Sequence, residues 1–303
     1  EYSGHSSIHD DSMAEKLGFR AGPIEGPTHF SQFTPLLVEI WGQQWFEKGC
    51  FSSHFQNMVV EGEQVRAFVE RPAPGQTRVR CWAEKADGTP VLEASASIDA
   101  APGESLLYER MAKLRAPEKL VILSDLHVGM KGAVDEKVRM DPDQNMGKLY
   151  PFSLNQKLAG ITENSSWYSD GSSTPWGRAV IPTEMVSVLA EYTSKDAEFP
   201  VKQPVIGLFA DQEIRMIDGP LLVGEAGFGA RGEGGQGELG GARQGAPAAR
   251  VPSASLAASP ARRSASRPSF AAACSSLSGI RATRSRRRRR RRAAARPACQ
   301  LAR

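Results

Sequence analysis

Between positions 28 and 47, apolar side chains recur at intervals of three and four: Phe30, Phe33, Leu36, Leu37, Ile40, Trp41 and Trp45. That spacing predicts a long helix with a narrow polar face, one that must be enclosed on most sides. Pro35 lies inside it, so a kink or break is expected there. The pattern then changes to alternation. Runs at 50–60, 64–70, 77–86 and 91–98 read as strands, with turns at Glu61-Gly62, 72–75 and Asp87-Gly88. Arg78, Arg80 and Trp82 alternate with Val79, Cys81 and Ala83, the period of a strand with two unlike faces. A short helix precedes these elements. Asp11 or Ser12 is its expected cap, Ser12 and Glu15 have capping-box spacing, and Gly18 is its stop. One buried helix followed by an antiparallel meander predicts a sheet curved around a helix.

The same order of elements returns later in the chain. Ser6-Ser7-Ile8-His9-Asp10-Asp11 is echoed by Ser165-Ser166-Trp167-Tyr168-Ser169-Asp170. The stretch from Gly18-Phe19-Arg20-Ala21 to Pro27-Thr28 is echoed by Trp176-Gly177-Arg178-Ala179 running to Pro182-Thr183. A second buried helix is predicted at 183–194, where Met185, Val186, Val188, Leu189 and Tyr192 form the apolar stripe. Strands at 205–211 and 213–217 follow, then a turn at Asp218-Gly219 into 221–223, and there the alternation stops. Relative to the first copy, most of the sheet is missing. The expected organisation is a first domain at 1–100, a charged linker at 101–118 (helical over 104–114), an incomplete second domain at 119–225 and a tail at 226–303. With Glu1 first and no strand ahead of the capping segment, the sequence reads as a fragment.

Composition changes the picture at one point. Of the 78 residues from 226 to 303, 62 are Ala, Arg, Gly, Ser or Pro, and 17 are Arg, with no Lys and only Glu233 and Glu238 as acids. The tail therefore carries +15, while residues 1–225 carry −11, so the overall +4 describes neither part. A segment this poor in apolar side chains is expected to be disordered. The all-Arg usage and the abrupt switch after Glu225 favour out-of-frame translation of a GC-rich strand. The competing readings are a solvated low-complexity tail and a phosphate-binding tract built on Arg286–Arg292. The GxGxxG string at 227–232 precedes no helix pattern and is set aside as chance. The four cysteines (Cys50, Cys81, Cys274, Cys299) have no metal spacing and fit a reducing compartment, so a cytoplasmic protein is expected. No apolar run approaches the ~18–20 residues of a membrane span.

Ile8-His9, Asp11, Ala14, Gly18-Phe19 and Ile24-Glu25-Gly26, set in a helix-in-sheet pattern, resemble the MaoC-like, or (R)-specific enoyl-CoA hydratase, branch of the hotdog superfamily. Leu123-Ser124-Asp125-Leu126 and Gly129 look like the opening of a second such domain. The resemblance implies an α+β double hotdog fold, each sheet wrapped around a central helix, with the second copy incomplete and a disordered tail. It implies an acyl-CoA or other acyl thioester as substrate, hydratase or dehydratase chemistry, no cofactor or metal, and a homodimer formed through the sheets. By position, His9 falls on the family's acid/base, Gly26 on the glycine whose N–H holds the thioester oxygen, and Asp11 on a second acidic position. Ile24, Thr28, His29 and Tyr168 fall on the substrate-binding surface. The family's catalytic Asp lies five residues before the His, where this chain has Gly4. In the second copy Tyr168 takes the His position and Glu163 the Asp position, so neither half has a complete dyad, and a site split between His9 and Glu163 is conceivable.

These gaps keep two other classes open: a non-catalytic thioester-binding or scaffolding hotdog, and a nucleic-acid binder acting through the arginine tail. Asp125 and His127 spell the first element of a binuclear metal site, but no further ligand motif follows and His127 is the last histidine. His29 and His54 read as core or pocket-lining groups. Trp167, Tyr168 and Trp176 read as packing at the mouth of the second helix. Cys50 and Cys81 have no basic neighbour in sequence, which argues against a reactive thiol.

Overall fold

In the computed structural model, the described residues are 8–99, 101, 103–115, 124–125, 136–147, 150–161, 163–192, 209–217, 219–225, 227–232, 236–241, 249–252 and 298–300. The first helix, α1 (Asp11–Lys16), starts one residue earlier than the sequence pattern implied. Asp10 is its cap, accepting from Met13 N at 3.1 Å, and Ser12 donates to the same carboxylate at 2.5 Å instead of capping. Gly18 ends it with φ of +86°, a conformation that glycine adopts without steric cost. After the two-residue strand β1 (Ile24–Glu25) comes the central helix α2 (Thr28–Trp41).

Helix α2 passes through Pro35 unbroken and stops at Gly42, where φ is +58°. The expected break is therefore displaced by seven residues. A positive-φ glycine terminates a helix outright, whereas a proline removes one N–H from a helix that packing otherwise holds. A second short helix, α3 (Gln44–Lys48), carries Trp45 and Phe46 into the core. Four antiparallel strands follow: β2 (Gly49–Phe55), β3 (Val65–Glu70), β4 (Arg78–Lys85) and β5 (Pro90–Ile98), in the spatial order β3-β4-β5-β2. Val79, Cys81 and Ala83 are buried, while Arg80 is exposed, as the alternation required. Phe30 and Phe33 of α2 meet Phe51 of β2 with ring centroids 5.1 and 4.9 Å apart. Each fully buried ring of this kind contributes about 1.5–3 kcal/mol through lost water contact. On the opposite face of the sheet lies α4 (Leu106–Met111). Its leading amides donate to Ser95 Oγ at 3.1 Å and Ser52 Oγ at 2.8 Å.

The later part of the chain contributes β6 (Glu136–Val138), α5 (Leu154–Gly160), α6 (Ser166–Ser169), a 3-10 turn at Gly171–Ser173, α7 (Thr183–Tyr192) and β7 (Asp211–Arg215). The expected strand over 205–211 and the restart at 120–123 lie largely outside the described residues. The internal repeat is visible in hydrogen bonds. Ile24 N donates to Val59 O at 2.8 Å beside a Pro23–Val60 bridge, and Ile181 N donates to Leu221 O at 2.9 Å beside a Val180–Leu222 bridge. Helices α2 and α7 pack on each other, and β7 pairs antiparallel with β2, from Cys50 opposite Arg215 to His54 opposite Asp211. The two copies thus share one sheet across the β2–β7 seam. Among the described residues, the architecture is an antiparallel sheet packed on α2, with α7 and β7 of the second copy joined to it.

From the tail expected to be disordered, the described segments are four short strands: β8 (Gly227–Gly232), β9 (Gln236–Gly241), β10 (Ala249–Pro252) and β11 (Ala298–Gln300). Among the described residues the sheet order is β11-β3-β4-β5-β2-β7-β10-β9-β8-β6. The GxGxxG string is thus itself a strand, followed by another strand. No described helix is long and apolar enough to cross a membrane.

Candidate active site at the start of the central helix

Two contacts bind the segment around α1 to the chain entering α2. His9 Nδ1 lies 2.7 Å from the carbonyl oxygen of Pro23. A carbonyl only accepts, so Nδ1 carries the hydrogen, and in the neutral ring Nε2 is the basic nitrogen. Asp11 accepts from the Gly22 amide at 2.7 Å. A β-carbon on Gly22 would come within 2.5 Å of His9 O, so only glycine permits this approach. Asp11 is exposed and holds the loop in place. His9 is therefore held at the carbonyl of Pro23, three residues ahead of Gly26.

Gly26 is buried against Phe55, where a β-carbon would lie 2.8 Å from Cζ. It immediately precedes Pro27 and Thr28, the cap and first residue of α2. The first-turn N–H groups of a fourteen-residue helix supply positive potential there. Ile24 is in the core, its N–H used by Val59. His29 is also buried. Its Nδ1 lies 2.9 Å from Gln32 Oε1, and burial pushes its pKa down to about 4, so it is neutral at pH 7. Tyr168 lies at the position that the sequence repeat pairs with His9. It is buried, edge-on to Phe46 at 6.4 Å, in an aromatic group with Trp167 and Trp176. Trp176 Nε1 also donates to Glu47 at 3.1 Å, so this group docks the second copy onto α3. Glu163 is buried just before α6. His54 pairs with Asp211 at 3.1 Å on the opposite face of the sheet; Arg110 binds the same carboxylate.

The sequence pattern gives little warning of the most unusual group near the site. Lys157 of α5 is 2% exposed, and its Nζ donates to Thr28 Oγ1 at 3.1 Å. The same nitrogen lies 3.5 Å from Glu25 Oε2 and 3.2 Å from Glu184 Oε2, and both carboxylates are buried. A buried charge is strongly disfavoured unless paired. The spacing of Leu154, Lys157, Leu158 and Ile161 puts the lysine on the apolar face of α5, the one signal available in sequence. Glu184 shares a helical face with the buried Val188 in the same way. Among the described residues no cluster of His, Cys, Asp and Glu is arranged to hold a metal ion; His127 lies outside them.

No protein-family model and no curated protein matches the chain. Several solved structures are similar to it in fold. A MaoC-domain protein from Chloroflexus aurantiacus J-10-fl, assigned as a dehydratase, has 14% identity and a TM-score of 0.48, over 82% of this chain and 88% of that one. A Mycobacterium tuberculosis protein with a double hotdog fold, essential for survival during infection, has 13% identity and a TM-score of 0.43, over 82% and 86%. A protein assigned as a thioesterase from Novosphingobium aromaticivorans has 13% identity and a TM-score of 0.38, over 76% and 85%.

Proposed function

We propose that this chain acts on an acyl thioester, an acyl-CoA or a related conjugate, as a hydratase or dehydratase of the MaoC-like type. The observation that supports the reading is the His9–Pro23 hydrogen bond, which ties the ring to the chain entering α2 and sets its tautomer. In the hydration direction, Nε2 takes a proton from water as the oxygen bonds to the β-carbon of a 2-enoyl thioester. Negative charge moves to the thioester oxygen, where the Gly26 N–H and the N-terminus of α2 stabilise it. Nε2 then returns its proton to the α-carbon, which completes the addition and restores the neutral ring. Pairing of two copies through their sheets and residence in the cytoplasm belong to the same proposal.

A second reading, a thioester-binding protein without turnover, is favoured by Gly4 at the family's Asp position and by Tyr168 in place of a second histidine. Hydration of crotonyl-CoA, followed by loss of enoyl absorbance, separates the two. Loss of a general base costs about 10²–10⁴ in rate, so His9→Ala is expected to fall by that factor. Activity that survives His9→Ala overturns the assignment of His9, and binding without turnover in the unaltered protein supports the second reading.

A further inference from the structure

Glu25, Lys157 and Glu184 come from β1, α5 and α7, so the two copies together build this group. Two carboxylates and one ammonium are all within 8% exposure, and Lys157 Nζ lies within 3.5 Å of both acids. If both carboxylates were ionised, a net negative charge would be buried beside a helix start. A proton on Glu184 makes the group neutral. Glu184 is the acid suited to keep it. It is 2% exposed, and its Oε2 lies 3.2 Å from Lys157 Nζ. Burial pushes its pKa up, and the charge of Lys157 opposes this without cancelling it. Facing it are Lys157 from α5 and Glu25 and Thr28 from the chain entering α2.

Lys157 holds Glu25 on one side of Gly26-Pro27 and Thr28 on the other. We propose that Lys157 and Glu184 are positioning residues for the thioester site: Lys157 fixes the turn that presents the Gly26 N–H, and Glu184 in its neutral form keeps that turn free of net charge. The role in turnover rests on the thioester reading above. It requires the second copy, because α5 and α7 supply both residues. With the proton lost, a net negative charge stands next to the place where the thioester oxygen gains its own, and turnover falls.

The test uses the full chain with crotonyl-CoA, comparing unaltered protein, Glu184→Gln, Lys157→Met and Lys157→Arg over a range of pH. Displacement of a catalytic group by about 1 Å costs on the order of 100-fold, so Lys157→Met is expected to lose kcat by that factor with KM nearly unchanged. Glu184→Gln, which resembles the protonated acid, is expected to stay active and to lose the fall in kcat at high pH. Lys157→Arg restores part of the rate if the cation matters. In parallel, the Gly26 amide resonance is followed against pH; it is expected to shift in the unaltered protein and stay constant in Glu184→Gln. An alkaline fall unchanged in Glu184→Gln, or a Gly26 resonance indifferent to that substitution, overturns the positioning role. A protein without turnover whose Gly26 amide still follows Glu184 overturns the hydratase reading alone.

Discussion

Phe55 presses against Gly26 so closely that a β-carbon on the glycine would lie 2.8 Å from the ring Cζ and 3.2 Å from Cε1 and Cε2. The last residue of β2 therefore sets how near the sheet comes to the turn at the start of α2. Gly26→Ala has to move either the ring or the turn, and overpacking of this kind costs about 1–3 kcal/mol. Replacing Phe55 by Leu in the same chain removes the clash. The double variant is expected to be more stable than the sum of the two single losses, as measured by urea midpoints. Additive losses would show that the ring and the turn are not coupled.

Burial holds the pKa of His29 at about 4, below its ordinary 6.5. The unfolded chain binds the proton more readily, so this stabilisation is present above pH 6.5 and is lost as pH falls toward 4. The loss is on the order of 3 kcal/mol across that window. His29→Leu is expected to flatten the acid side of the stability profile in chemical denaturation between pH 4 and 7. An unchanged slope would place the acid sensitivity elsewhere.

Cys50 and Cys81 are free and buried. Burial pushes the Cys50 thiol up to about 12 and the Cys81 thiol further still. Since the thiolate is the reactive form, both are expected to resist alkylation in the folded protein and to react once urea unfolds it. Labelling followed by mass spectrometry checks this. Rapid labelling of either residue under native conditions contradicts the packing of β2 and β4.

Strand β10 pairs with β7 through Arg250 opposite Arg215. Deleting residues 226–303 leaves the outer edge of β7 without that strand. An open edge templates association, so the shortened chain is expected to self-associate, visible by light scattering. A monomeric deletion variant of full stability would show that the tail strands add nothing to the sheet. The same deletion decides the arginine tract: nucleic-acid binding that weakens with salt and vanishes on deletion would favour a binding role.

Much of the first copy could be read from sequence because its signals are local. The three- and four-residue spacing of Phe30, Phe33 and Leu37 and the alternation through Val79 and Cys81 depend on residues close in the chain, and each lies where the pattern placed it. The end of α2 was misread because a proline and a glycine compete as breakers, and core packing let the helix continue through Pro35 to Gly42. For His9, proximity to the turn was legible, but its hydrogen bond to Pro23 was not. That contact requires α1 to fold back across fourteen residues.

Side-chain period and turn chemistry are properties of short segments, so the helices and strands of the first copy and the glycines near the start of α2 could be read from neighbouring residues alone. The tertiary structure alone decided where charge is buried. Glu25, Lys157 and Glu184 are ordinary surface residue types, separated by 132 and 27 positions. Only the meeting of β1, α5 and α7 removes water from all three at once and makes their charges depend on one another. Desolvation and Coulomb attraction act through space, so no local pattern records them.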